Sequence, residues 1–190
     1  MTPEDGLLIV WALWAASWIG ASFWTVATIK RPELREEILY RVLTLIGFVC
    51  LFGVYRYRGP LKLWTFPEDF QWVGVIAGAG FCLFAWWARI HLGTLWSGRV
   101  TRKVGHRVID TGPYGLVRHP IYTGILGAAV MLAAIKGTVM ALAGVVFLIA
   151  GYWIKAKFEE RFLREELGPE DYDAYRRKVP LLVPFGPKMP

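Results

Sequence analysis

From Ile121 to Ile154 the chain runs 34 residues with a single charge, Lys136. One helix of that length would span about 51 Å, against about 30 Å for the hydrocarbon core of a bilayer. The run therefore predicts a tight helical hairpin turned at Lys136-Gly137. A second uncharged stretch covers residues 6–29, 24 positions or roughly 36 Å of helix, and predicts a tilted first span. A cleaved signal peptide would open on basic residues, whereas Glu4 and Asp5 precede this stretch.

Residues 42–55 predict a second span, short unless Ile38 to Tyr40 join it and Arg41 snorkels. Residues 72–88 predict a third. Gly78-Ala79-Gly80 follows no predicted strand, so Gly74-xxx-Gly78 reads as close helix packing rather than a dinucleotide loop. Residues 89–118 form a basic, glycine-punctuated loop long enough to be functional. Lys155 to Lys178 reads as an amphipathic helix, with Phe158, Phe162, Leu163 and Leu167 at helical spacing and a break at Gly168-Pro169. The proline-rich tail after it is apolar enough to pack back on the bundle. The expected fold is one all-α integral membrane domain: three spans in residues 1–88, then a polar loop, a hairpin and a C-terminal helix in 89–190.

Composition agrees with a membrane protein, at 55% hydrophobic residues and ten tryptophans. The net charge of +7 would suit nucleic acid in a soluble chain, but here the cations flank apolar runs and no aromatic-interleaved basic groove accompanies them. With five spans and the N-terminus outside, Lys and Arg number 18 in the inner segments and 4 in the outer ones. That bias puts the 89–120 loop and the C-terminal helix on the cytoplasmic side. Cys50 and Cys82 lie in apolar runs and read as packed thiols. His91, His106 and His119 fit no common ligand spacing, so no metal is expected.

Two groups of residues are placed to carry chemistry. Arg118, His119 and Pro120 stand at the mouth of the hairpin, where the turn Gly112-Pro113 precedes them and Pro120 suits a first helical turn. They are either a polar ligand site or snorkelling anchors. Lys155 and Glu159 share a helix face, either toward a common pocket or as a solvated charged face.

The segments HRVIDTGPYGLVRHPIYTG (His106–Gly124) and EERFLREELGPEDYDAYRRKVPLLVP (Glu159–Pro184) resemble the isoprenylcysteine carboxyl methyltransferase and phospholipid N-methyltransferase superfamily. The resemblance covers roughly residues 89–184; the first three spans match only in general character. It implies a membrane enzyme that binds S-adenosyl-L-methionine between the polar loop, the hairpin and the C-terminal helix. Residue by residue, the implied cofactor-binding positions are His106, Arg107, Val108, Ile109, Tyr114, His119, Pro120, Ile121, Tyr122 and Glu159, with Arg99 a further candidate. Arg118 and Glu160 match charged positions needed for activity. Lys155 stands where the isoprenylcysteine enzymes place an arginine at the substrate end, and lysine lacks the planar two-pronged grip on a carboxylate. A second departure is one extra residue in GPEDY.

The implied reaction moves a methyl group to a lipophilic acceptor from the bilayer, an isoprenylcysteine-like carboxylate or a lipid amine. Arg118 or Lys155 would orient a carboxylate; Glu160 would help deprotonate an amine. Two other readings stand beside it: an NADPH-dependent sterol-type reductase, similar around an RHP-x-Y segment, and a non-enzymatic membrane scaffold.

Overall fold

The computed structural model describes residues 1–30, 32–53, 61–97, 102–103 and 108–188. Seven helices lie among them: α1 (Pro3–Ala21), α2 (Leu34–Phe52), α3 (Glu68–Leu92), the short α4 (Pro113–Leu116), α5 (Pro120–Lys136), α6 (Val139–Leu167) and α7 (Pro169–Lys178). The one sheet among these residues is an antiparallel pair, β1 (Thr28–Lys30) with β2 (Arg102–Lys103), which ties the segment after α1 to the middle of the polar loop. The fold is all-helical in every other respect. α3 with the turn after it (Glu68–Leu95) and α6 (Val139–Glu166) are each 28 residues long and apolar enough to cross a membrane; α5 is apolar but shorter.

Local chemistry explains the boundaries. Thr2 and Asp5 form a capping box: the Thr2 hydroxyl accepts from the Asp5 amide at 3.2 Å and the Thr2 amide donates to the Asp5 carboxylate at 3.0 Å. Pro3 fills the first helical position. At the hairpin, Gly137 takes a left-handed φ of +56°, and a Cβ there would sit 2.2 Å from the Trp64 carbonyl. Only glycine fits. Thr138 then caps α6 by accepting from the Ala141 amide at 3.2 Å. Lys136 is drawn inward, its ammonium donating to the Leu51 carbonyl at 2.8 Å and lying 3.7 Å from Glu4. The starts of α1 and α6 and the ends of α2 and α5 thus share one end of the bundle.

The core sits between α3 and α5 and between α2 and α6. Gly124 of α5 rests on the Phe81 carbonyl and on Ala85, while Gly47, Gly144 and Gly151 bring α2 and α6 into backbone contact. Gly78 faces Leu7 of α1 and Gly74 faces Ile135 of α5, so that glycine pair does serve close helix packing. Arg89 is fully buried near the end of α3. Its guanidinium donates to the carbonyls of Gly93, Ala21 and Trp24 at 2.7–2.9 Å and lies between the rings of Trp24 and Trp96. It closes the orphan carbonyls at the end of α1.

Three boundaries differ from the sequence reading. The first helix starts at Pro3 and stops at Ala21 rather than running to 29, because Arg89 fastens its end and the following residues turn into β1. α2 starts at Leu34 and ends at Phe52, so it takes in Ile38 to Tyr40 and the charged residues before them rather than covering only residues 42–55. The amphipathic stretch from Lys155 is no separate helix: α6 continues unbroken from Val139 to Leu167, about 43 Å, and only Gly168-Pro169 interrupts it.

Candidate active site

α5 and α6 diverge from the Gly137 turn toward the opposite end, where the backbone before Pro120 meets the second half of α6. The C-terminal tail locks this junction. The Arg118 and His119 amides donate to the Pro180 and Leu181 carbonyls at 2.9 and 3.1 Å, and the Thr123 hydroxyl donates to the Leu182 carbonyl at 2.6 Å. Leu181 and Leu182 are buried against Ala156, so the tail packs back on the bundle as its composition suggested.

Arg118 does not snorkel. It is 4% exposed, its guanidinium paired with Glu160 and donating to the carbonyls of Val179 and of Arg176, the latter at 3.0 Å. Glu160 is 3% exposed, and Arg176 approaches its other oxygen at 3.7 Å. The pair and the carbonyls compensate the burial of Arg118, while the second Glu160 oxygen has, among the described residues, only the charge of Arg176 beside it.

His119 lies flat on Tyr122, ring centroids 5.2 Å apart at 4°. Its Nδ1 is 3.8 Å from Glu159 and its Nε2 3.8 Å from Glu160, so the imidazole stands between two carboxylates beyond hydrogen-bond range. The Tyr122 hydroxyl donates to Glu159 at 2.6 Å. The Lys155 ammonium lies 5.1 Å from the Tyr122 ring centroid and 5.8 Å from that of Tyr40 on α2. This aromatic pair holds a cation by the negative faces of its rings.

These groups line a single cavity of about 350 Å³. Val108, Ile109, Tyr114, Arg118, His119, Pro120, Ile121, Tyr122, Lys155 and Glu159 all contribute to its wall. Glu160 is not among the lining residues; it stands behind His119 and Arg118. Arg99, His106 and Arg107 lie outside the described residues.

Tyr114, Tyr172 and Tyr175 form the wall nearest α7. Tyr175 donates to the Tyr114 carbonyl at 2.8 Å, and Tyr114 stacks on His91. Burial pushes all three hydroxyls well above the ordinary tyrosine range, so they are neutral donors. The two tyrosines of α7 went unnoticed in the sequence, although their i, i+3 spacing puts them on one helix face. Also unforeseen is the far end of the cavity, built by Trp14 and Trp18 of α1, Phe48 of α2, Trp96 and Tyr152. The signal for α1 was the 3- and 4-residue spacing of Trp11, Trp14 and Trp18 within an otherwise plain apolar run.

The arrangement suits a ligand with both signs of charge. Glu159 can accept from amino or hydroxyl groups, His119 and the tyrosines can exchange hydrogen bonds, and the tyrosine faces can receive a cation. S-Adenosyl-L-methionine, with its sulfonium, amino group, carboxylate, ribose and adenine, matches that donor set.

Comparison with known proteins covers part of the same stretch. Residues 75–166 match the sequence model of the isoprenylcysteine carboxyl methyltransferase (ICMT) family. A relative, protein-S-isoprenylcysteine O-methyltransferase B of Arabidopsis thaliana, is 31% identical over 91 residues, 46% of this chain and 44% of its own. The chain thus spans less than half the length of that relative. The match runs through α3, the hairpin and the polar half of the cavity, and it makes residues 75–166 similar to the isoprenylcysteine carboxyl methyltransferase family.

Proposed function

We propose that this protein is an integral membrane methyltransferase that binds S-adenosyl-L-methionine in the cavity and methylates a lipophilic acceptor. The observation that carries the reading is the convergence of His119 and Tyr122, from the start of α5, and Glu159, from α6, on one cavity whose wall also holds Lys155. The family of residues 75–166 supports it over a reductase or a scaffold.

In this reading Glu159, held by Tyr122, accepts hydrogen bonds from the cofactor's amino or hydroxyl groups. Val108, Ile109, Tyr114 and Ile121 enclose its apolar parts and keep water out. Arg99, His106 and Arg107 are further proposed cofactor-binding residues, on the resemblance alone. The bound cofactor supplies an electrophilic methyl carbon for in-line displacement. Lys155 orients an anionic acceptor toward it; in well-aligned reactant pairs such positioning can supply up to about 7–11 kcal/mol. Arg118 and Glu160 are positioning residues: their buried pair fixes the start of α5 against α6 and the tail. Lys155 favours a carboxylate, like that of the isoprenylcysteine enzymes, over an amine, because a second cation beside it is repelled.

The same proposal has five spans, α1, α2, α3, α5 and α6, with the N-terminus outside and the site at the cytoplasmic face. Both helices of 19 residues reach about 28 Å. The 18-to-4 distribution of cations supports the orientation.

Transfer of labelled methyl from S-adenosyl-L-methionine into a total lipid extract, with mass identification of the product, tests the reading. A labelled lipid is expected. A purified protein that S-adenosylhomocysteine does not stabilise against heat would overturn it.

A further inference from the structure

The cavity has two unlike ends. Glu159 and His119 mark one; along α6 the other lies about 10 Å deeper, at Tyr152, two turns before Glu159. That deeper end is aromatic. Trp14, Trp18 and Phe48 come from α1 and α2, both outside the stretch that matches the family, and Trp96 closes the slot from the end of α3. Trp18 sits edge-on to Trp96 at 5.7 Å and Trp14 tilts against Trp18 at 4.6 Å.

Close backbone approach joins α1 to α3 and α5, and α2 to α6. α1 and α2 meet through side chains instead, Trp11 against Phe48 and Phe52 at 6.3 and 5.3 Å. Trp11 is buried, so this contact forms a floor one turn below Trp14. Trp14, Trp18 and Phe48 are half-buried and line the cavity. A seam between two helices that meet through side chains, without close backbone packing, can part at its aromatic stretch while the helices keep their other partners.

We propose that the seam between α1 and α2 admits the apolar arm of the methyl acceptor, and that Trp14, Trp18 and Phe48 are the residues that determine which arm fits. The inference rests on the methyltransferase reading and deepens it. The polar end of the cavity, at Glu159 and His119, holds the cofactor; the arm lies in the aromatic slot, continuous with it, with its polar head at Lys155. The floor of Trp11 and Phe52 stops the arm from running on along α1, so an arm longer than the slot leaves through the seam.

The test uses the full chain in lipid nanodiscs with N-acetyl-S-farnesyl-L-cysteine as acceptor. Trp14→Ala and Phe48→Ala should raise the KM for this probe about tenfold, the scale expected for emptying an aromatic contact, with the KM for S-adenosyl-L-methionine within about twofold. Trp14→Phe and Phe48→Leu keep the core filled and should restore most of the affinity. They also serve if the alanine variants do not fold. Unchanged acceptor KM in all four, or an equal rise in both KM values, would overturn the inference. So would a parent that binds S-adenosylhomocysteine yet neither binds nor methylates the probe. A parent that S-adenosylhomocysteine fails to stabilise overturns the methyltransferase reading itself, and this inference with it.

Discussion

The Tyr122 hydroxyl donates to the Glu159 carboxylate across 2.6 Å, joining the first turn of α5 to the last third of α6. The pair sits 37 positions apart in the chain, yet it fixes the polar end of the cavity. Its ring stacks on His119, so one side chain orients both an acceptor and an imidazole.

Glu159→Gln should weaken S-adenosylhomocysteine binding about tenfold while the protein stays folded, because an amide accepts less strongly than a carboxylate. Tyr122→Phe should have a smaller effect in the same direction. Calorimetric titration of both variants checks this; affinities equal to the parent's would remove Glu159 from the cofactor site.

Removing Arg118 leaves Glu160 charged, buried and short of its main partner. Arg118→Met should lower stability by about 3–5 kcal/mol, and the double change with Glu160→Met should recover part of that loss. Denaturant unfolding in mild detergent measures both. A single variant as stable as the parent would show the pair to be idle.

Lys155 rests on the rings of Tyr40 and Tyr122 and faces the cavity. Lys155→Met should raise the acceptor KM about tenfold for a carboxylate and leave S-adenosylhomocysteine affinity nearly unchanged. An amine acceptor methylated faster by the variant than by the parent would confirm that the ammonium repels it.

At Gly137 the left-handed backbone and the Trp64 carbonyl act together. Gly137→Ala should destabilise the hairpin by at least about 1–2 kcal/mol, since strain adds to a steric clash. A thermal midpoint within error of the parent's would contradict the turn geometry.

Asp173 of α7 takes three hydrogen bonds from Arg164 of α6, at 2.8–2.9 Å. The Arg164 guanidinium first, then Arg176, holds its carboxyl below the usual range. A depressed carboxyl adds stability above its unfolded value, near 3.8, and loses it as the pH falls through the folded value. Hydrogen exchange in Pro169–Lys178 should therefore speed up, relative to intrinsic rates, below about pH 4. Asp173→Asn should show the faster exchange at neutral pH already.

The bundle helices were legible from their uncharged runs, with errors at their ends, and the hairpin turn fell at the residue pair expected. What escaped was governed by contacts between distant segments. The end of α1 depends on Arg89, 68 residues away, and no local pattern announces that. The continuity of α6 was hidden by its change from apolar to charged, which reads like a boundary although no proline interrupts the helix before Pro169. In the site, the paired motifs led to His119, Tyr122 and Glu159, whereas Trp14, Trp18 and Phe48 are apolar residues in apolar runs and carry no mark of facing a cavity. Arg118 shows the opposite case: its charge was conspicuous, but that its partners are the tail carbonyls is visible only in three dimensions.

Because α6 runs unbroken through Tyr152, Lys155 and Glu159, these three side chains work like graduations on a ruler. Adding one residue between Lys155 and Glu159 would swing everything beyond it by about 100° and shift it about 1.5 Å. Such an insertion would turn the carboxylate off the wall it shares with Tyr122. New acceptors are thus reached by exchanging side chains at fixed graduations, while changes in length along this rod are closed to the protein.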